Sequence, residues 1–127
     1  MSAKVVRHIF RFSGFRASFK LALKGILYLF LYHRNMRIIF MLGIVALLSG
    51  IQFQLKGIEL VALCITVTLV LMAEIFNTAV EMMMDILTDA YNTRVKLIKD
   101  ISAAVVVLTC LNAIVVGYII FLRKLFR

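Results

Sequence analysis

The chain has 127 residues, of which 64% are apolar and none is proline or tryptophan; 15 Lys and Arg against 6 Asp and Glu give a net charge of +9. A soluble domain carries roughly 45–50% apolar residues, and a globule this small cannot hide the surplus behind its mean hydropathy of +1.05. Disorder, a disulfide scaffold and a large soluble enzyme fold are thereby excluded. What remains is an all-α integral membrane protein, read here as a single membrane domain over residues 1–127 with three transmembrane helices.

The first 37 residues hold eight basic side chains (Lys4, Arg7, Arg11, Arg16, Lys20, Lys24, Arg34 and Arg37), and the first acid in the chain is Glu59. Val5, Val6, Ile9, Phe10 and Phe12 alternate with Lys4, Arg7 and Arg11 at helical spacing until Ser13-Gly14 interrupts. Arg16, Lys20 and Lys24 then follow at i, i+4 steps, so they share one helix face. Phe15, Phe19, Ala22, Leu23, Ile26 and Phe30 cover the rest. The pattern predicts an amphipathic helix region over 1–35, lying in the membrane interface with anionic lipid headgroups as its partners. A helix docked on the bundle is the alternative. No nucleic-acid motif is present, so nucleic acid is not expected as a partner. No A-x-A-like site follows a short apolar core near the start, and no cleavable signal peptide is expected.

Met36–Leu55 is long enough to span a hydrocarbon core of about 30 Å and has only Arg37 charged. Lys56-Gly57 breaks it. Ile58–Leu87 reads as the second span, Thr88–Asp100 as a polar loop and Ile101–Leu122 as the third span. The N-terminal arm and the loop share one side of a three-span topology and hold eleven basic residues, against four on the other side. The positive-inside rule then places the N-terminus in the cytoplasm. Gly43, Gly50 and Gly117 are expected to allow close helix approach. Cys64 and Cys110 read as small hydrophobes and Met82-Met83-Met84 as packing and lipid contact.

The second span carries the unusual residues. Glu74, Asn77, Glu81 and Asp85 recur at steps of 3, 4 and 4, which puts all four within an arc of about 80° on one helix face. A charge facing lipid costs several kcal/mol, so this stripe must line a polar cleft, bind a cation or titrate to neutral. A helix end emerging into water would explain Asp85 and even Glu81, but not Glu74, deeper in the apolar run. Three acids on one stripe repel, and a divalent metal with a preference for oxygen ligands would relieve them. Lys99-Asp100, with Arg94 and Lys96, adds cations at the same membrane face. Acids beside a lysine cluster suit a polyphosphate, with a carboxylate to take the proton of an attacking hydroxyl. Flanking positive charge alone would also account for Arg94 and Lys96. No Walker A loop, G-x-G-x-x-G or kinase signature is present.

Ala73-Glu74-Ile75-Phe76-Asn77-Thr78-Ala79-Val80-Glu81 followed by Asp85 resembles the signature of the small prokaryotic diacylglycerol kinase family, which includes the undecaprenol kinases of Gram-positive bacteria. Ser18-Phe19-Lys20, Gly25-Ile26, Arg34-Asn35-Met36-Arg37, Tyr91 and Lys99-Asp100 match in order and at compatible spacing, so the resemblance covers roughly residues 12–122. The resemblance implies a homotrimer in the bacterial cytoplasmic membrane, with an amphipathic surface helix per chain, active sites between protomers near the cytoplasmic interface, and ATP with Mg²⁺ phosphorylating a lipid hydroxyl. It assigns Glu74 as catalytic base, Glu81 as metal and nucleotide ligand, and Asn77 as support for the site. It assigns Tyr91, Asn92, Lys99 and Asp100 to the nucleotide. The Arg34–Arg37 stretch resembles the Gram-positive branch, which points to undecaprenol as acceptor, with diacylglycerol as the alternative.

The resemblance departs at His33, where the family usually has a metal-binding glutamate. His33 then ligates a different metal, or the site runs on fewer protein ligands, or activity is altered; an imidazole suits Mg²⁺ less well than a carboxylate. Tyr91-Asn92-Thr93 departs from the Tyr-His-Pro often found in the Gram-positive pattern. Two other functions compete: a small ion-coupled transporter built on Glu74, and a non-catalytic membrane scaffold descended from the kinases.

Overall fold

The computed structural model describes residues 14–126, which form four helices and, among the described residues, no strand. The expected helical stretch before Ser13 and the residue His8 lie outside the described residues. Helix α1 is Phe15–Tyr32, α2 is Arg34–Gln52, α3 is Ile58–Leu87 and α4 is Thr93–Leu125. The chain divides after His33 into two compact units. In the first, α1 closes on an extended His33 whose backbone N–H donates to the Leu29 carbonyl. The Tyr28 ring lies tilted by 35° against Tyr32 at 4.8 Å between centroids and meets the His33 imidazole at 6.1 Å.

The second unit holds three helices, each long and apolar enough to cross a membrane. Their large side chains are mostly exposed (Leu42, Val45, Leu48, Ile65, Leu108 and Ile114 among them), an arrangement that lipid, or another membrane helix, makes tolerable. The first span is Arg34–Gln52 rather than 36–55. It ends early because a paired-hydrogen-bond cap closes it: Leu55 N–H donates to the Gly50 carbonyl at 2.9 Å and Gln54 N–H to Ile51 at 3.0 Å, with Gln54 at φ 54°. Leu55 turns back into the core beside Leu63 and Ile120. Gly57, at φ 56° and ψ −128°, makes the bend that starts α3, a conformation that favours glycine.

Helix α4 begins at Thr93, so the expected polar loop over 88–100 is a short link, with 93–100 helical. Asn92 supplies the reason: its side-chain oxygen accepts from the Arg94 N–H at 2.8 Å and caps the first turn.

Helix α3 is central and packs on both α2 and α4. The α3–α4 pair is antiparallel, with contacts from Glu59–Lys124 at one end, through Asn77–Ser102, to Asp85–Lys99 at the other. The α2–α3 contact depends on small residues. A Cβ on Gly43 would sit 2.9 Å from Val67 Cγ1, and one on Gly50 would sit 2.7 Å from Leu63 Cδ2. Gly117 differs from the expectation: nothing lies within 4 Å of a Cβ built there, and it lines an open apolar groove of about 380 Å³ between the three helices. Cys64 is exposed, Cys110 is a free thiol in that groove, and Met84 is buried while Met82 and Met83 are exposed.

Val67 is β-branched and holds one side-chain rotamer in a helix, so it cannot swing away from an added group. Gly43→Val is therefore expected to destabilise the bundle by about 1–3 kcal/mol, the usual cost of overpacking. Gly117→Ala, which fills open space, should leave stability unchanged or slightly raised. Thermal unfolding of the two variants in one detergent compares them directly.

Candidate active site

Four hydroxyls within the spans are satisfied locally. Ser49, Thr66 and Thr68 each donate to the carbonyl four residues back, and Thr109 to the one three residues back, as an apolar surrounding requires. Ser102 on α4 differs from these four. Its Oγ lies 2.8 Å from its own helix at the Lys99 carbonyl and 2.8 Å from Asn77 Oδ1 on α3, so its single proton is shared across the helix pair.

That contact opens a polar seam. On α3, Glu74 (4% exposed), Asn77 (8%) and Thr78 (3%) are buried in sequence-adjacent turns behind Ala73. One turn further on Glu81 is exposed, and one turn beyond that Asp85 accepts from Lys99 Nζ at 2.5 Å. The stripe predicted from spacing thus runs from a buried carboxyl to a solvent-facing ion pair. Each step outward adds water, which is why acids of one sign share a face without all being desolvated.

Helix lengths place this seam in the membrane. Thirty residues of α3 give about 45 Å of helix, some 15 Å more than the hydrocarbon core. The Glu59–Lys124 pair at 3.3 Å, with Arg123 beside it, marks one boundary, so the overhang falls at the other end. Glu81, Asp85 and Lys99 then reach the headgroups, and Glu74, about 20 Å from the end of α3, sits close to the hydrocarbon edge.

The other expected site residues divide. Lys99 faces the stripe. Asp100, the next residue, is exposed and lies about 100° further around α4, so it does not join Lys99 on the α3 stripe. Tyr91 is exposed in the link before α4. Asn92 is engaged as the helix cap, a structural duty the sequence reading did not give it. His33 belongs to the first unit. Among the described residues no three His, Cys, Asp or Glu side chains gather to hold a metal. Sequence reasoning missed Ser102; the available signal was its position one turn after Lys99, on the same side of α4.

Residues 20–121 match the model of the family described as prokaryotic diacylglycerol kinase. The chain is 33% identical over 101 residues to the diacylglycerol kinase of Synechocystis sp., covering 79% of this chain and 58% of that protein. It is 30% identical over 79 residues to the undecaprenol kinase of Bacillus subtilis, covering 62% of this chain and 64% of that protein. The chain therefore spans a little under two thirds of the length of each.

The seam's two cross-helix contacts differ in burial, and their removal should differ in cost. Ser102→Ala leaves the buried Asn77 amide short of a partner, which costs about 1–3 kcal/mol. Asp85→Asn weakens a pair whose side chains are 67% and 36% exposed, worth no more than about 1 kcal/mol. Thermal unfolding in detergent should rank Ser102→Ala as the less stable variant.

Proposed function

The chain belongs to the prokaryotic diacylglycerol kinase family, and from that premise we propose that it is an ATP-dependent lipid kinase, transferring the γ-phosphoryl group to the hydroxyl of a membrane lipid alcohol. The observation that carries the reading is the buried Glu74 on the same α3 face as Asn77, with a lysine brought in by α4 at Asp85, about three turns further along that face. A carboxylate near the hydrocarbon edge meets a lipid hydroxyl where that hydroxyl naturally lies. Glu74 would take the proton from the acceptor hydroxyl as its oxygen bonds to the γ-phosphorus and the bond to the nucleotide's bridging oxygen breaks. Asn77, fixed by Ser102, would orient the reacting groups, and Lys99 would bind phosphate oxygens. Tyr91, Asn92 and Asp100 are the remaining residues we assign to the nucleotide.

The donor set fits Mg²⁺. Glu74, Asn77 and Glu81 offer hard oxygen ligands, and Mg²⁺ is usually held by one or two carboxylates plus phosphate oxygens and water rather than by a protein cage. Glu81 would hold the cation; the family resemblance, not geometry, is what gives His33 the place of a metal ligand. Such a cation, when bound, supplies charge neutralisation at the polyphosphate.

We take undecaprenol as the acceptor, supported by the Arg34–Arg37 stretch and by the Bacillus subtilis relative; diacylglycerol uses the same chemistry. The reading further includes a homotrimer in the bacterial cytoplasmic membrane, with anionic headgroups around the basic arm and the N-terminus in the cytoplasm, where ATP is available. Basic residues gathered at the seam end of the spans support that orientation.

The test is phosphoryl transfer from labelled ATP in mixed micelles offering undecaprenol and diacylglycerol side by side. Wild type should label undecaprenol, and Glu74→Gln should lower the rate by about 10²–10⁴-fold, the range for losing a general base. Preference for diacylglycerol changes the acceptor and keeps the mechanism. Wild type without label on either lipid, across a range of Mg²⁺, overturns the kinase reading. His33→Glu should lower the Mg²⁺ concentration needed for half-maximal rate.

A further inference from the structure

Asp85 has no role in the chemistry set out above, yet it makes a direct contact with a residue that has one. Its Oδ1 accepts from Lys99 Nζ across fourteen residues of sequence, bridging the end of α3 to the start of α4. The pair is too exposed to add much stability. Its effect lies in where it puts the lysine. Lys99 has a flexible four-carbon stem and a compact charge. Left free, it would sample many directions at the headgroup level.

The backbone beneath it is already fixed. Ser102 ties the Lys99 carbonyl to Asn77 on α3, so the rotation of α4 against α3 is set one turn away. Only the side chain remains to be aimed, and Asp85 is the partner the structure gives it. Asp85 also lies within about 40° of Glu81 around α3, so a lysine head held there stays over the acidic stripe. An exposed ion pair exchanges partners at little cost, and a polyphosphate carries more negative charge than one carboxylate. Lys99 can therefore pass from Asp85 to phosphate without a rearrangement of either helix.

We infer that Asp85 is a positioning residue: it holds Lys99 over the α3 stripe in the nucleotide-free protein and hands it to the polyphosphate on binding. The inference rests on the kinase reading. A part in binding that acts only through Lys99 has a distinct signature. Asp85→Ala should raise the KM for ATP by about threefold to tenfold, the range for ordering one rotamer-rich side chain on binding, and leave kcat within about twofold. Asp85→Glu should restore most of the loss. In a Lys99→Ala background, Asp85→Ala should have no further effect.

The experiment uses the full chain in mixed micelles, with ATP and Mg²⁺ titrated separately for wild type, Asp85→Ala, Asp85→Glu, Lys99→Ala and the double variant Asp85→Ala/Lys99→Ala. A KM unchanged in Asp85→Ala overturns the inference. So does an equal further loss in the Lys99→Ala background, or a raised Mg²⁺ requirement there, since either makes Asp85 a direct ligand. A wild type that transfers no phosphate overturns the kinase reading itself, a result distinct from the others.

Discussion

A carboxyl group carried into an apolar helix bundle has to be given polar neighbours, and much of this structure follows from supplying them to α3. Glu74, Asn77 and Thr78 are buried on a helix many of whose large side chains, Ile65, Leu69, Met72 and Phe76 among them, are exposed. Water is scarce at that depth, so the partners must come from protein. Helix α4 brings Ser102 to Asn77 and Lys99 to Asp85. Those contacts fix which turn of α4 faces which turn of α3, and hence the register of the whole pair. The same register carries Lys124 to Glu59 at the far end. One antiparallel alignment therefore satisfies polar groups over the full length of two long helices.

Length turns that alignment into a position in the membrane. Both α3 and α4 exceed the hydrocarbon thickness, and the ion pair near their far ends fixes where the excess goes. It emerges on the side where the acids and the lysine lie. A site at this level meets two solvents at once, the bilayer on one side and water on the other. The gradient from buried Glu74 to exposed Asp85 follows that boundary.

Much of this was legible in the sequence because it follows from periodicity. Steps of 3, 4 and 4 place Glu74, Asn77, Glu81 and Asp85 on one face whatever they pack against, and hydropathy marks three spans without reference to tertiary structure. Ile58–Leu87 was read with the observed boundaries. The start of α4 was not, because Thr93–Asp100 is polar on a hydropathy scale while its helix is set by a single cap at Asn92. Ser102 was missed for a related reason: one serine in an apolar run carries no pattern, and its importance comes from a residue on another helix. Gly117 shows the reverse. A glycine looks the same in sequence whether it admits a neighbour, as Gly43 does, or borders open space.

The two ends of the α2–α3–α4 unit are held by different forces, and the difference suits a binding site. At the far end Leu55, Leu63 and Ile120 are buried together, Phe53 meets Phe121 edge-on at 5.5 Å, and Gly50 lets α2 approach closely. Such packing resists local opening. At the other end Met36, Ala73 and Met84 are buried as well, but polar contacts join the helices: the Ser102 hydroxyl shared with Asn77 and the exposed Asp85–Lys99 pair. The exposed ion pair costs little to exchange, so ligands and partner groups can compete for it while the bundle stays assembled from below. Binding sites tend to lie in the less stable parts of a structure. Here that part is set by the distribution of apolar side chains along α3: Leu63 seals the turns near Glu59, and Glu74, Asn77 and Glu81 leave the opposite turns to polar chemistry.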